Sequence, residues 1–227
     1  RFGVTETLDD YITGESHRPV AVRLLAGIQS WVARQAVAVI APSNYLQGII
    51  MQWGVSQSSV GVIHSTLFPL TPTTSKEQTR EQLALGSPVL VTAGRLVPWK
   101  GIDAVIDVAD QLRSIYPDVT LVVIGDGPER PVLESKVAKH ALQKTVRFVG
   151  SQSKPQLANI IQAADVFVLN TAYEGLSHQL LEVMELGVPI VTTNVGGNPE
   201  LLTDGVDATL VDFDDTYALT EACKWSI

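Results

Sequence analysis

The chain has 227 residues, a formal net charge of −8 and 45% hydrophobic residues, which is typical of a globular protein of one or two domains at roughly 150 residues each. The acidic balance argues against non-specific nucleic-acid binding, which needs a basic surface. The single cysteine, Cys223, excludes an internal disulfide framework, and the four scattered histidines show no zinc-binding spacing.

Short apolar runs alternate with longer amphipathic segments along the chain. The runs are Ala36–Ala41, Val60–Ile63, Val89–Ala93, Val119–Ile124, Val146–Val149, Val166–Leu169, Pro189–Thr193 and Ala208–Val211. The predicted helices between the later runs are Ile102–Ile115, Arg130–Leu142, Pro155–Ala163 and His178–Leu186. Continuous apolar runs are typical of parallel strands buried on both faces. The alternation therefore predicts an α/β fold with a doubly wound parallel sheet, and the six runs from Val89 onward make one Rossmann-like unit.

A stretch rich in Pro, Thr and Ser, residues 69–75, separates the first two runs from the rest. We predict a partial domain over 1–68, a linker and lead-in helix over 69–87, and a Rossmann-like domain over 88–227. Two strands and two helices before the linker are too few to bury a parallel sheet, so we expect a piece of a longer protein. The most apolar stretch, Pro19–Pro42, lacks the roughly twenty uninterrupted apolar residues of a transmembrane span.

Ligands of such sheets bind beyond the carboxyl ends of the strands. After Val89–Ala93, the segment 94–101 carries Arg95 and Lys100, two cations that suit an anion such as a diphosphate and that we expect to face an open cleft. The alternative is a solvated loop with two surface charges. After Val119–Ile124, Gly125 lets backbone approach a ligand closely, although a plain turn would use the same residue.

The segment after Val166–Leu169 is the most informative. Glu174 precedes a helix that we predict to begin near Ser177, a good N-cap residue, and Glu182 follows on that helix. Free amides at the helix N-terminus suit phosphate, and a buried carboxylate suits the paired hydroxyls of a ribose. The alternative for Glu182 is an exposed helix position, which its apolar neighbours disfavour because an unpaired buried carboxylate is costly.

Together these segments resemble the retaining, nucleotide-sugar-dependent glycosyltransferases of family four, which have the GT-B fold of two facing Rossmann-like domains. The resemblance runs from about Ala36 onward and is strongest over Val89–Val211. The matching pieces, in family order, are GRLVPWKG at 94–101, GDGP at 125–128, VRFVG at 146–150, AADVFVLNTAYEGLSHQLLEVMELGVPIV at 163–191 and GGNPE at 196–200. No single piece would suffice, but their order is specific.

The resemblance implies a role for each site residue. Arg95 and Lys100 would bind the donor diphosphate and stabilise it as it leaves. Glu182, which closes the E-x7-E pattern, would hold the ribose, and Glu174, which opens it, would face the transferred sugar. The remaining implied donor-site residues are Gly94, Gly125, Gly150, Gly175, Leu176 and Ser177, of which Gly125 and Gly150 would border the base.

The resemblance also implies the reaction: a hexose passes, with retention, from a UDP- or GDP-linked sugar to an unidentified glycan, lipid or small-molecule acceptor. No cofactor or divalent metal is expected, because two cations and a helix dipole would stand in its place. No nucleic-acid partner is expected. A cytoplasmic location is implied, with peripheral membrane contact through the missing part of the N-terminal domain.

The chain departs from the family pattern before the linker. Residues 63–68 lack the family's Asn-Gly pair, and the N-terminal glycine loop and acceptor pocket have no counterpart. We therefore expect this chain to bind donor without transferring sugar by itself. Two alternatives stay open: a non-catalytic nucleotide-sugar-binding module and, less favoured by the motifs, another GT-B enzyme such as an epimerase or a phosphorylase.

Overall fold

The computed structural model describes residues 20–66 and 69–227. Its first elements are helix α1 (Val20–Gln35), strand β1 (Val39–Ala41), helix α2 (Asn44–Gln52), a 3-10 turn (Gln57–Ser59) and strand β2 (Val60–Val62). The two strands pair in parallel, with Val39 opposite Val60, in a sheet of their own. Within residues 20–66, two strands and two α-helices precede the predicted linker. The remainder of the predicted 1–68 unit, together with His17 and residues 67–68, lies outside the described residues.

The two-stranded sheet buries only a small cluster of apolar side chains. This cluster consists of Ala41, Ile50, Val55 and Val60. Ile40 of β1 is 64% exposed, and Trp31 of α1 is 58% exposed. Apolar side chains of both β1 and α1 are therefore exposed to solvent, which is expected of a unit with so few elements.

No helix within residues 20–66 and 69–227 is both long enough and apolar enough to cross a membrane.

The larger sheet has six strands in the order β5-β4-β3-β6-β7-β8, and every neighbouring pair is parallel. Its strands are β3 (Val89–Ala93), β4 (Thr120–Ile124), β5 (Val146–Gly150), β6 (Val166–Leu169), β7 (Ile190–Thr193) and β8 (Thr209–Val211). The helices are α3 (Lys76–Gln82), α4 (Ile102–Arg113), α5 (Arg130–Lys139), α6 (Lys154–Gln162), α7 (His178–Glu185), α8 (Asn198–Leu201) and α9 (Thr216–Ser226). The predicted doubly wound α/β fold is confirmed.

Helices cover both faces of this sheet, which explains its uninterrupted apolar strands. Every residue of β3, β4, β6 and β7 is buried. On one face α4 buries an apolar side that consists of Ile102, Val105, Ile106, Ala109 and Leu112, and Leu219 and Cys223 of α9 join the same cluster. On the other face α6 and α7 contribute Ile160, Ile161, Leu180 and Val183.

The predicted linker is bound to the larger sheet's helices. The backbone N–H of Leu70 donates to the Glu185 carboxylate of α7 at 3.0 Å, and that of Thr73 donates to the side chain of Asn159 in α6 at 2.7 Å. Leu70 itself is buried. Residues 69–75 form no helix or strand, as predicted, but they lie along the surface of the Rossmann-like unit.

The strand order reverses direction at β3. From β3 the chain moves outward through β4 and β5, then returns to place β6 on the other side of β3. The helices that follow β3 and β6, α4 and α7, therefore lie on opposite faces of the sheet, which places a crevice at this edge. The predicted site residues follow β3, β4, β5 and β6 at that edge.

Candidate functional site

The loop after β3 presents one exposed cation and one largely buried cation. Arg95 is exposed, and its side chain makes no hydrogen bond or ion pair within the described residues. Lys100 ends a 3-10 turn (Pro98–Lys100), and its side chain is only 18% exposed because it forms an ion pair with Glu174. Arg95 thus presents an unpaired cation at the crevice among the described residues, whereas the Lys100 cation is paired with a carboxylate.

The loop after β6, which carries Glu174, is hydrogen-bonded to the loop after β3. The N–H of Ala172 donates to the carbonyl of Trp99 at 2.8 Å, and the Thr171 hydroxyl donates to the same carbonyl at 3.2 Å. Glu174 itself is 15% exposed and contacts Lys100. These bonds fix the two loops against each other, so residues far apart in the chain form one charged pair at the crevice.

Helix α7 begins where the sequence predicted. Ser177 is its N-cap, and the Ser177 hydroxyl accepts from the N–H of Leu180 at 3.3 Å. Leu176 is buried, whereas His178 is exposed in the first turn. The first turn leaves backbone amides that carry the positive end of the helix dipole, an arrangement that favours an anion.

Glu182 lies one turn further along α7 and is 7% exposed, which confirms the predicted burial. Its carboxylate forms an ion pair with Lys154, the first residue of α6. The Lys154 side chain is 69% exposed, so the pair joins a buried carboxylate to a solvated ammonium group. Lys154 is not predictable from the sequence, because no local pattern links it to Glu182 on a different helix.

A cavity of 340 Å³ opens beside these groups at the carboxyl ends of the strands. Its lining residues are Ala93, Gly94, Arg95, Ile124, Gly125, Asp126, Ser151, Gln152, Leu157 and Gln179. A larger cavity of 490 Å³ lies beside residues that precede β3, β4 and β5, away from every predicted site residue. The smaller cavity is therefore the one that belongs to the candidate site.

Gly125 brings the ends of β3 and β4 together. Its φ is +122°, and a Cβ at this position would collide with the carbonyl oxygen of Gly94. The Gly125 N–H also donates to the carbonyl of Gly150 at 2.9 Å. Gly150 does not line the cavity, whereas the two residues that follow it, Ser151 and Gln152, do. Their position directly after a predicted strand is the sequence signal that indicates Ser151 and Gln152.

No group of three or more His, Cys, Asp or Glu side chains in the described part of the chain could hold a metal ion. Cys223 is fully buried in the core, and burial raises the pKa of its thiol to about 12, which leaves it unsuited to be a nucleophile. The charged groups at this edge include the exposed Arg95 and two ion pairs, Lys100–Glu174 and Lys154–Glu182.

Comparison with known proteins gives a consistent result. The family model described as "Glycosyl transferases group 1" matches residues 74–227. A GDP-mannose-dependent alpha-(1-6)-phosphatidylinositol monomannoside mannosyltransferase of Mycolicibacterium smegmatis is 34% identical over 156 residues, which cover 65% of this chain and 41% of that protein. A glycogen synthase of Mycobacterium tuberculosis is 28% identical over 184 residues, which cover 81% of this chain and 44% of that protein. The match thus spans less than half the length of these relatives.

Solved structures agree on the fold. Anabaena Alr3699/HepE, crystallised with UDP and glucose, superposes with a TM-score of 0.79 and 26% identity, covering 88% of this chain and 56% of that one. The sucrose-phosphate synthase of Thermosynechococcus elongatus gives a TM-score of 0.82 over 99% of this chain and 57% of that one, at 24% identity.

Proposed function

The chain belongs to the group 1 glycosyltransferases, and from that premise we propose that it carries the donor site of a retaining enzyme that moves a hexose from a nucleotide sugar to an acceptor hydroxyl. The observation that supports this best is the meeting of Arg95, the Lys100–Glu174 pair and buried Glu182 at one edge of the sheet. These groups match the charges and hydroxyls of a nucleotide sugar.

The positive groups would stabilise the leaving nucleoside diphosphate. Negative charge develops on the diphosphate as the bond to the sugar breaks, so fixed positive groups there lower the barrier. Arg95 is free to bind it, and the N-terminal amides of α7 lie on the same edge. These groups would stabilise the diphosphate in place of the divalent metal that other glycosyltransferases use. We therefore propose that transfer does not depend on a metal.

The carboxylates would hold the hydroxyls of the donor. Each is neutralised by a lysine, Glu174 by Lys100 and Glu182 by Lys154. A bound diphosphate would draw Lys100 toward itself, which frees Glu174 to accept hydrogen bonds from the transferred sugar. Glu182 would accept from the ribose. The 340 Å³ cavity, which Gly125 borders, would take the base.

Two similar proteins are described with different nucleotides, and both support the proposed donor class. The mannosyltransferase is named as GDP-mannose-dependent, and the Anabaena protein is crystallised with UDP and glucose. We therefore propose a UDP- or GDP-linked hexose as donor and a hydroxyl of a glycan, lipid or small molecule as acceptor. A cytoplasmic location is proposed from this donor class.

Thermal unfolding with a ligand panel tests the proposal. UDP, GDP, ADP and their sugars are added, each with EDTA and with magnesium. A ligand that binds only the folded state adds about 2.7 kcal/mol at a hundredfold excess over Kd. We expect the nucleotides of one base to raise Tm by several degrees, and by the same amount in EDTA as in magnesium. Arg95→Ala and Lys100→Ala should each reduce that rise.

The outcomes separate the parts of the proposal. A rise that requires magnesium would contradict metal-independent binding. A rise that survives loss of both cations would contradict their assignment to the diphosphate. No rise with any nucleotide would contradict the donor site itself.

A further inference from the structure

The segment that leads from β1 into α2 lies against the loop that carries Glu174. The hydroxyl of Ser43, which is fully buried, donates to the carbonyl of Gly175 at 2.6 Å. The rings of Tyr45 and Tyr173 are 5.9 Å apart between centroids and inclined at 60°. A Cβ at Gly175 would come within 2.8 Å of the Leu46 side chain. Residues 43–46, which we call the β1–α2 segment, thus contact the residues on both sides of Glu174.

Glu200 holds this segment in place. Its carboxylate accepts from the backbone N–H of Asn44 and of Tyr45, both at 2.7 Å, and from the Asn44 side-chain amide at 2.8 Å. These N–H groups belong to the first turn of α2, where the helix dipole favours an anion. Burial alone would raise the pKa of the Glu200 carboxyl, but the hydrogen bonds from Asn44 and Tyr45 outweigh it and lower that pKa. His64 adds a contact at 3.5 Å.

The loop that leads to Glu200 also contacts the Glu174 loop directly. The N–H of Gly197 donates to the carbonyl of Glu174 at 2.9 Å. The Glu174 carbonyl is therefore held from the Glu200 side, and the next carbonyl, that of Gly175, is held by Ser43. Two hydrogen bonds thus hold the backbone at Glu174, one from Gly197 and one from Ser43. Glu200 links the two donor segments, because it follows Gly197 in the chain and accepts hydrogen bonds from the β1–α2 segment.

We infer that Glu200 is a positioning residue for sugar binding: it holds the β1–α2 segment against the Glu174 loop and so orients the Glu174 carboxylate toward the transferred sugar. This inference rests on the proposed function. Glu200 acts through the Glu174 loop, and among the described residues its carboxylate contacts Asn44, Tyr45 and His64 but neither Arg95 nor Lys100. The inference therefore predicts a loss confined to the sugar half of the donor.

The test compares the affinity for UDP with that for UDP-glucose, and for GDP with that for GDP-mannose, by calorimetry. Glu200→Gln places an amide NH₂ against a backbone N–H. Ser43→Ala removes the bond to Gly175 and also the N-cap of α2, because the Ser43 hydroxyl accepts from the Leu46 N–H at 3.1 Å. For both variants we expect a loss of about tenfold or more for the nucleotide sugar and a change of less than about twofold for the diphosphate.

Two matched variants control for unrelated effects. Ser75→Ala removes the N-cap of α3, which accepts from Gln78 at 3.2 Å and lies away from the Glu174 loop. Glu221→Gln neutralises a carboxylate on α9 that pairs with Lys224. Neither should alter the ratio of the two affinities. If Glu200→Gln does not fold, the two affinities are compared in Ser43→Ala alone, which removes a single hydroxyl and has Ser75→Ala as its N-cap control.

A second measurement requires no ligand. The rate of amide hydrogen exchange over residues 171–177 should rise in Glu200→Gln and Ser43→Ala and stay unchanged in the controls. A loop that has lost its hydrogen bonds opens more often, and its amides then exchange faster. Unchanged exchange, or equal losses of diphosphate and nucleotide-sugar affinity, would overturn the inference. Failure of the unaltered protein to bind any nucleotide would instead overturn the proposed function, while the exchange result still decides whether Glu200 supports the loop.

Discussion

Replacing Glu182 with Gln should weaken nucleoside diphosphate binding while leaving the fold intact. The Glu182 carboxylate is 7% exposed, so a ribose hydroxyl bound there would form a charge-assisted bond shielded from water. Such a bond contributes about 1.5–3 kcal/mol, which corresponds to roughly a 10- to 150-fold loss of affinity. The Glu182–Lys154 ion pair is lost as well, but the 69% exposure of the Lys154 side chain limits that cost to about 0–1 kcal/mol.

Calorimetry with the nucleotide that raises Tm most, UDP or GDP, measures this loss directly. Glu221→Gln is the matched control, because it neutralises a helical carboxylate that pairs with a lysine far from the crevice. Equal Kd values for the unaltered protein and Glu182→Gln would refute the assignment of Glu182 to the ribose. A large fall in Tm without ligand would refute the argument that the ion pair adds little stability.

Three further variants and one labelling experiment extend the reasoning. By calorimetry, Glu174→Gln should lower nucleotide-sugar affinity about tenfold, because Glu174 faces the sugar, and should leave diphosphate affinity unchanged or raise it, because Lys100 is released from the ion pair. Lys154→Met should strengthen nucleotide binding by up to about fivefold, because it removes a competitor for the Glu182 carboxylate. Burial alone would raise the pKa of Asp165, but hydrogen bonds from the Val89 N–H, Arg80 and Lys76 lower it below its usual value. Asp165→Asn should therefore lower Tm at neutral pH, and the difference should shrink as the pH falls below about 4 toward that lowered pKa. Mass spectrometry should show Cys223 unlabelled by iodoacetamide at about pH 8 until the chain unfolds, because burial raises its pKa to about 12.

The strands and the fold class could be predicted because their signal is local. β3 is a continuous apolar run with both faces buried, and the position of Ser177 ahead of an apolar helix predicts its N-cap role. The burial of Glu182 followed from its apolar neighbours in the same helix. Each of these features depends on residues within one or two turns of each other.

The contacts that complete the site could not be predicted because they join distant segments. Lys100 and Glu174 are 74 residues apart, and Lys154 and Glu182 are 28 apart. The bond from Ser43 to Gly175 spans 132 residues. Side chains such as these meet only once the sheet has set the loops side by side, and no pattern in the sequence encodes which lysine meets which carboxylate.

The position of helix α9 bears on how the chain folds during synthesis. Leu219 and Cys223 of α9 lie in the same core cluster as α4, against the sheet. A ribosome releases α4 more than a hundred residues before α9, between Ile102–Arg113 and Thr216–Ser226. Until α9 emerges, the part of this face that Leu219 and Cys223 cover is exposed to solvent, although α4 already covers the rest. The core cluster on this face therefore closes only after α9 has left the ribosome.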